Sequence, residues 1–423
     1  MSALAPRTRL AVLLAGVALV LAAAVYLVFI RGGDANPVVE AGSRFGNEDR
    51  RGGGGALLET LAPVLAAGQP ARNRGSDPSA PTADDVMRSP GDAVAGLLMV
   101  GFAGMKPGGS FFERLRARPY GSVLLGRANY IEPSQLATLI AQIQKVARTA
   151  GHPAPIVAAE QEGDEFSAFR NLAPDAQTAV GTRRVGEIRA SAHAAGEQLR
   201  ALGLGMNLAP NADVAVAGGP GQGRAFADTP SAVTRAVRAT VGGYASAGVA
   251  ATVGPFPGDG AASQDPSAGP APVGLGLDEL RNGDMTPFAA VASGRGAAPA
   301  IQMSNAIYVA FDSVTPATIL PGAVKELRER LGFEGTIVSA DLVATTATTG
   351  GSVGDAAVAA LKAGVDMLLV PGGPAEQDEA YRAVVAAVAS HAIPADRVVS
   401  ALRRIAALRR LTRDAREPIQ VAG

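Results

Sequence analysis

The sequence of 423 residues lacks cysteine and tryptophan, and it contains only three histidines. Without cysteine the chain has no disulfide bond, no thiolate zinc site, no cysteine nucleophile and no lipid attached to an N-terminal cysteine. The histidines are so few that they limit imidazole-based acid–base chemistry and metal clusters. We therefore expect no metal ion and no cofactor, and we expect His152, His193 and His391 to be solvated or structural.

The sequence has no excess of charge of either sign, because 38 lysines and arginines balance 38 aspartates and glutamates. A polyanion such as DNA would gain no broad electrostatic attraction to this chain, so we expect no nucleic-acid binding. The glycine-rich segment GGPGQG from Gly218 does not match the GxxxxGK[ST] pattern of phosphate-binding loops. Nucleotide binding is not expected either.

One long hydrophobic run is present near the start of the chain. Residues 10–30 carry no charge, and as a helix they would span roughly 31 Å, close to the apolar thickness of a bilayer. Arg7 and Arg9 precede the run and Arg31 follows it, which modestly favours a cytoplasmic N-terminus at residues 1–9. We predict an uncleaved signal anchor in the cell membrane. The alternative is a cleaved signal peptide and a secreted protein.

The composition changes twice after the hydrophobic run. Residues 31–83 mix glycine, proline and scattered charges, a composition typical of a disordered tether. From residue 84 to about residue 415, short apolar runs alternate with helical stretches rich in alanine, leucine and arginine. We predict a folded extracytoplasmic domain over 84–415 and a short tail over 416–423.

Eight apolar segments in the folded part have the length and composition of buried strands. Eight strand–helix units over about 330 residues predict an α/β fold, a (β/α)8 TIM-type barrel, with a doubly wound open sheet as the alternative. The chemistry of such barrels lies in the loops that follow the strands. The predicted strands begin at Leu97, Ser122, Pro155, Met206, Ala251, Ala300, Gly335 and Met367.

Polar side chains at the ends of these strands are the candidate functional residues. We expect them to converge at one end of the barrel. They are Glu160, Glu162, Asp213, Asp265, Asn305 and Asp341.

Several motifs, in this order, resemble those of glycoside hydrolase family 3, in particular its single-domain β-N-acetylhexosaminidases that trim cell-wall amino sugars. The resemblance extends over roughly residues 90 to 412 and implies a (β/α)8 barrel that hydrolyses O-glycosyl bonds. The motifs are AEQEG from Ala159, NLAPNADV from Asn207, GRAF from Gly223, FPGDG from Phe256, LGFEGTIVSADL from Leu331 and AGVDMLLVP from Ala363.

The sequence departs from this family at both positions that carry its chemistry. A retaining glycosidase needs a carboxylate nucleophile and a second group that protonates the leaving oxygen. The family has SDDL where this chain has SADL, so the resemblance places Ala340 at the nucleophile position. The family's Asp-His acid–base pair corresponds to Asp265 and Ser267, and a serine hydroxyl does not titrate near neutral pH.

Family residues that contact the substrate are also replaced. A Lys-His pair becomes Gly254 and Pro255, an arginine becomes Glu165, and a histidine after the sixth strand becomes Asn305. The resemblance leaves Glu160, Asp213, Arg224 and Asn305 as substrate-binding candidates.

Each of these polar candidates also has a structural interpretation. Asp213 and Glu162 can orient the barrel loops, and Arg224 can form a buried ion pair with Glu160 or Glu162. Asp341 is the nearest substitute for a nucleophile, but neighbouring residues of a strand point to opposite faces, so we expect its carboxylate to point away.

Three functions follow from these observations. The first is a membrane-anchored pseudo-glycosidase that has lost hydrolysis and binds a cell-wall glycan or an envelope protein. The second is an active β-N-acetylhexosaminidase or related glycosidase in which Asp341 or Glu162 acts with Asp265 in rearranged roles. The third is a scaffold that docks envelope proteins without binding sugar.

Overall fold

The computed structural model describes residues 81–412. These residues belong to one compact unit, Gly75–Gly423. The predicted membrane anchor at residues 10–30, nearly all of the predicted tether and the predicted tail at 416–423 lie outside the described residues. Between residues 81 and 412, no helix combines the length and the apolar character needed to cross a bilayer.

The described residues form ten strands, and eight of them make one parallel sheet. All eight predicted strands are confirmed, each within two residues of its predicted start. The two additional strands, β6 and β8, are two residues long and pair only with each other. The strands are β1 (Leu98–Gly101), β2 (Ser122–Leu125), β3 (Ile156–Ala159), β4 (Met206–Asn207), β5 (Ala250–Phe256), β6 (Pro272–Val273), β7 (Ala300–Met303), β8 (Ile307–Tyr308), β9 (Thr336–Val338) and β10 (Leu368–Val370).

The order of the eight long-sheet strands is that of a barrel. They pair as β10-β1-β2-β3-β4-β5-β7-β9, so each strand lies beside its neighbour in the chain and the last strand lies beside the first. A doubly wound sheet would reverse direction at a switch point, and this alternative is therefore wrong. The strands are almost completely buried because side chains fill the inside and helices cover the outside.

The barrel is nearly closed at the contact between β9 and β10, which we call the seam. A single bridge, Val338 to Met367, joins the two strands there. Side chains supply further hydrogen bonds: the Leu369 amide donates to Ser339 Oγ over 2.8 Å, and the Ile337 amide donates to Asp366 Oδ2 over 3.0 Å. Backbone hydrogen bonds, such as those from the Ser339 amide to the Met367 carbonyl and from the Met367 amide to the Ile337 carbonyl, therefore act together with side chains to hold the seam.

Three arginines surround the Asp366 carboxylate at the seam. Arg328 contacts Oδ2, while Arg397 and Arg404 donate to Oδ1 over 3.0 and 3.2 Å. Asp366 is fully buried, and such a carboxylate is stable only when it is paired and hydrogen-bonded.

Helices connect the strands and cover the barrel. The helix Pro133–Thr149 is typical: it begins with proline at its first position and buries leucines and isoleucines at helical spacing. The helices are α1 (Ala83–Arg88), α2 (Pro90–Ala95), α3 (Gly109–Ala117), α4 (Pro133–Thr149), α5 (Gln177–Gly181), α6 (Val185–Ala201), α7 (Pro230–Ser246), α8 (Leu277–Asn282), α9 (Thr286–Ala292), α10 (Pro321–Lys325), α11 (Leu342–Thr349), α12 (Val353–Ala363), α13 (Pro374–Ala389) and α14 (Ala395–Leu411). Short 3₁₀ turns lie at Arg127–Asn129, Asp164–Phe166 and Ala317–Ile319, and a π-helical turn at Glu326–Arg330.

The small β6–β8 pair holds the long loop that follows β5. Pro272 pairs with Ile307 and Val273 with Tyr308, in parallel register. The Tyr308 hydroxyl also donates to the Gly258 carbonyl over 3.0 Å. This loop carries Asp259, Asp265 and Ser267, so the pair fixes one side of the region where function was predicted.

Candidate active site

A cavity of about 440 Å³ opens at the carboxyl ends of the barrel strands, and we call it the mouth cavity. Its lining includes every candidate residue named from the sequence, because each of them follows a strand or lies in a loop after one. These residues are Glu160, Glu162, Asp213, Arg224, Asp265, Ser267, Asn305, Ala340 and Asp341, and Asp259 joins them.

Arg224 forms a forked ion pair with Glu162 in the wall of this cavity. Its Nε and Nη2 atoms donate to Glu162 Oε2 and Oε1 over 2.9 and 2.7 Å, and Nη2 also donates to Glu160 Oε1 over 3.0 Å. The guanidinium lies 5.1 Å from the centre of the Phe166 ring. The predicted pairing of Arg224 with these glutamates is therefore present in the structure, as a bidentate contact of the kind that fixes geometry well.

Burial and the neighbouring charges shift the pKa values of Glu162 and Arg224 in opposite directions. Burial raises the pKa of Glu162 to about 7, although the Arg224 charge and hydrogen bonds lower it. Burial alone would lower the pKa of Arg224, but the carboxylates of Glu162 and Glu160 raise it above its ordinary value. Glu162 is almost fully buried, whereas the Glu160 side chain is about half exposed. Glu160 is thus the member of the trio that a ligand meets first.

The chain turns sharply after Glu162 because Gly163 has a φ of 123°. A Cβ atom at this position would approach the Asp175 carbonyl oxygen to 2.2 Å. Only glycine fits this backbone and this space. The turn directs Glu160 and Glu162, which follow β3, towards Arg224 in the loop after β4.

Asp213 and Asp259 lie next to each other in the lining of the mouth cavity. Asp213 accepts hydrogen bonds from Asn211 Nδ2 over 3.0 Å and from the Asp259 amide over 2.6 Å. Burial, followed by the charge of Asp259, raises the pKa of Asp213 to about 7. Asp213 therefore organises the loop after β5 while its carboxyl group lines the cavity.

Asp259 is held through only one of its carboxylate oxygens. Ser304 Oγ and the Tyr308 hydroxyl both donate to Oδ1, over 2.5 and 2.7 Å. Within residues 81–412, Oδ2 accepts no hydrogen bond, and it remains accessible from the cavity although the residue as a whole is more than nine-tenths buried. Burial raises the pKa of Asp259 to about 6.

Ala340 and Asp341 occupy the end of β9. The Ala340 amide donates to Thr318 Oγ1 over 2.9 Å, and its methyl group is buried. Asp341 Oδ1 accepts from the amides of Val343 and Ala344 over 2.8 and 3.2 Å, so this carboxylate caps the N-terminus of α11. Burial raises the pKa of Asp341, against these hydrogen bonds.

Asn305 contacts the same helix start. Its Nδ2 donates to the Asp341 carbonyl over 3.0 Å, and its Oδ1 accepts from Thr345 Oγ1 over 2.7 Å. Both ends of the amide are thus engaged by the chain itself, although Asn305 lines the mouth cavity.

Asp265 and Ser267 form a closed turn. The Ser267 amide and hydroxyl both donate to Asp265 Oδ1 over 2.8 Å. A serine in this position holds the carboxylate by hydrogen bonds, but it has no group that exchanges a proton near neutral pH.

Residues outside the predicted set complete the description of the site. Asp259, Tyr308 and the buried Asp284, which lies beside Gly258, were not predicted as site residues. The FPGDG motif was the available signal for Asp259. None of the three histidines lines the mouth cavity, and His152 contacts the Arg116 carbonyl instead. Within residues 81–412, no cluster of three or more potential metal ligands is found.

The polar side chains of this parallel barrel meet at the carboxyl ends of its strands, where enzymes with this fold have their active sites. Residues 92–408 match the family described as glycosyl hydrolase family 3 N terminal domain, and the chain belongs to this family. The fold and the family predicted from the sequence motifs are therefore confirmed.

Two similar bacterial proteins are named beta-hexosaminidases. A beta-hexosaminidase from Alkalilimnicola ehrlichii is 31% identical over 298 residues, which are 66% of this chain and 82% of that protein. One from Methylococcus capsulatus is 33% identical over 265 residues, covering 60% and 76% of the two chains.

Solved structures show the same fold. A family 3 beta-N-acetylglucosaminidase from Paenibacillus superposes with a TM-score of 0.74 at 28% identity, covering 78% of this chain and 64% of that one. A beta-N-acetylhexosaminidase from Beutenbergia cavernae gives 0.68 at 27% identity, covering 75% and 97%. The chain thus spans less than two thirds of the Paenibacillus protein but nearly all of the Beutenbergia protein.

Proposed function

We propose that this family 3 protein is a pseudo-glycosidase: it binds an amino-sugar glycan of the cell wall in the mouth cavity and does not hydrolyse it. The observation that carries the proposal is the joint loss of both reacting groups in one cavity. By the motif resemblance, Ala340 corresponds to the family's nucleophile and Ser267 to its proton-transferring histidine; both residues line the cavity, and the Ala340 methyl group is buried. A methyl group cannot attack an anomeric carbon.

The contacts of Asp341 argue against its use as a replacement nucleophile. Its Oδ1 is committed to two backbone amides at the start of α11, and these hydrogen bonds disperse the charge that an attack would need. It is also displaced by one residue from the nucleophile position.

Binding of a glycan is supported by what the mouth retains. A cavity of about 440 Å³ is within the usual range for small-ligand sites. The Arg224–Glu160–Glu162 trio offers donors and acceptors to sugar hydroxyls at its exposed edge. The relatives are named for amino sugars, and we extend only this class of ligand to the present chain.

We also propose that the protein is anchored in the cell membrane through residues 10–30, with the barrel outside the cytoplasm. The support is the uncharged run and the arginines that flank it. The alternative to glycan binding is that the barrel surface binds a protein of the cell envelope.

Turnover of fluorogenic β-N-acetylglucosaminide and β-glucoside substrates tests the absence of hydrolysis. We expect the wild-type chain to release no more fluorophore than a Glu162→Gln variant purified in parallel. The double variant Ala340→Asp, Ser267→His restores a carboxylate and an imidazole, and we expect it to gain measurable turnover because the mouth still accepts sugar. Wild-type turnover that exceeds this control would contradict the proposal.

An active glycosidase with rearranged residues is the second candidate. The observation in its favour is that burial raises the pKa of Glu162 and of Asp213 to about 7, the range suited to acid–base catalysis near neutral pH. This candidate predicts wild-type turnover that is lost in Asp341→Ala or Glu162→Gln. Circular dichroism of each variant separates lost chemistry from lost folding.

A further inference from the structure

The charges that line the mouth cavity are strongly unbalanced, although the whole chain has a formal net charge of zero. Six carboxyl groups face one guanidinium group, and the lining contains no lysine or histidine. The carboxyl groups are those of Glu160, Glu162, Asp213, Asp259, Asp265 and Asp341, and the guanidinium is that of Arg224.

The single cation is already neutralised by its neighbours. Arg224 donates two hydrogen bonds to Glu162 and one to Glu160, so its charge is shared between two carboxylates at contact distance. It lowers the pKa of Asp213 and of Asp259 only through its more distant charge. Four carboxyl groups of the cavity therefore have no cationic partner in contact.

The remaining carboxyl groups are held by neutral donors alone. Within residues 81–412, Asp213, Asp259, Asp265 and Asp341 take part in no ion pair. Asp341 caps a helix and Asp265 binds Ser267, whereas Asp259 leaves Oδ2 without any hydrogen bond. This oxygen is accessible from the cavity, so a ligand with a hydrogen-bond donor or a positive charge can contact it directly.

A neighbouring cavity does not share this acidic character. This second cavity, of about 640 Å³, lies at the ends of β1 and β10 and shares Pro371 with the mouth. Its charged lining residues are Lys106 and Arg114, with no carboxyl group among them. The two cavities therefore favour ligands of opposite charge.

We propose that the mouth cavity selects a glycan that carries a free ammonium group, that is, a de-N-acetylated amino sugar, with Asp259 Oδ2 as the acceptor for the ammonium. This proposal rests on the proposed glycan-binding function. An N-acetylated sugar has a neutral amide, which donates one hydrogen bond but does not offset the negative charge. An acidic sugar is disfavoured because its carboxylate would face uncompensated carboxylates.

The proton affinities in the cavity agree with this assignment. Burial raises the pKa of Asp259 to about 6, and burial together with the charge of Asp259 raises that of Asp213 to about 7. A bound ammonium favours the charged form of both groups and lowers both pKa values.

Calorimetric titration of the full-length chain tests the proposal. The probes are the β-1,4-linked glucosamine dimer, which has two free amines, its N,N′-diacetylated counterpart, and spermidine as an amine without sugar. We expect the wild type to bind the glucosamine dimer at least about tenfold more tightly than the diacetylated dimer. Asp259→Asn should remove about a factor of ten from the first affinity and leave the second unchanged.

Asp259→Asn is a conservative probe because an asparagine Oδ1 can still accept from Ser304 and Tyr308. Asp228→Asn is the matched control: it removes the same charge at an exposed residue that does not line the cavity, and we expect unchanged affinities. A loss of affinity in both variants would point to a general charge effect and overturn the role of Asp259.

The remaining outcomes separate this inference from the proposed function. Equal affinity for the two dimers, or tighter binding of the diacetylated one, overturns the selectivity for ammonium and leaves glycan binding intact. Spermidine bound as tightly as the glucosamine dimer overturns recognition of a sugar. No binding of either dimer at millimolar concentration, by protein with a native circular dichroism spectrum, overturns the glycan-binding function itself.

Discussion

Burial raises the pKa of four acidic side chains in or beside the barrel mouth to about 6 or 7, and it also raises that of Asp341. These groups bind protons more tightly in the folded state than in the unfolded state, so the folded protein loses stability as the pH rises through the interval between the two pKa values. The four are Glu162, with a pKa of about 7, Asp213, about 7, Asp259, about 6, and Asp284, about 6.

The Asp259→Asn variant tests this pH dependence. The pKa of Asp259 rises from its ordinary value of 3.8 to about 6 in the folded protein. Asparagine does not titrate, so the variant lacks this ionisation. We expect the stability of the variant relative to wild type to increase by about 2 kcal/mol between about pH 4.5 and about pH 8, because the cost of ionising Asp259 disappears. Urea denaturation at both pH values measures the difference, with Asp228→Asn as the control. A difference independent of pH would contradict the assignment.

Most residues of the mouth and the ion pair of Arg224 could be predicted from the sequence, but the other hydrogen-bond partners could not. Glu160, Asp213 and Ala340 follow strands whose apolar composition is evident, and strand ends converge in a barrel. The expectation that Asp341 would turn away from the cavity is met only in part, since the residue lines the cavity while its carboxylate caps α11. Capping depends on the exact first residue of a helix, which a sequence pattern does not define.

At the level of the strands and helices, the unpredicted feature is the β6–β8 pair. Two-residue strands give no alternation of apolar and polar residues, so no pattern could indicate them. They nevertheless bring Tyr308 to Asp259 and hold the loop after β5. The eight barrel strands were predictable because each belongs to a longer, mainly apolar and buried segment; β4, also two residues long, begins the segment MNLAPNADV.

The ion-pair cluster at the seam between β9 and β10 predicts how much stability the protein loses when Asp366 is replaced. Asp366 is fully buried against three arginines, so Asp366→Asn leaves their charges without a carboxylate. We expect this variant to lose about 3–5 kcal/mol of unfolding free energy, as is usual when one partner of a buried ion pair is removed. Chemical denaturation with circular dichroism detection measures the loss.

The ion pair of Arg118 with Asp378 provides the control for the seam. It joins partly exposed side chains over 2.5 Å, and we expect Asp378→Asn to cost about 1 kcal/mol or less. Equal losses in the two variants would mean that the buried cluster contributes no more than a surface pair and that other contacts close the barrel.

For the whole molecule, the main prediction concerns its place in the cell. We expect the full-length chain to sediment with membranes and to resist a carbonate wash, because residues 10–30 form an apolar run long enough to span a bilayer. A chain that begins at residue 31 should stay in the soluble fraction. If the complete gene is expressed and the protein is recovered from the soluble extracytoplasmic fraction without its first residues, about 30 of them, the result would favour the cleaved signal peptide instead.

The seam also bears on how the protein is made. Arg397 and Arg404, two of the three cations that hold Asp366, lie in α14, the last helix of the described chain. All eight barrel strands are synthesised before these arginines are added. A chain that ends before residue 397 would therefore contain every strand but only Arg328 of the three arginines that surround Asp366. The ion-pair cluster of the seam is therefore complete only after the last described helix has been synthesised.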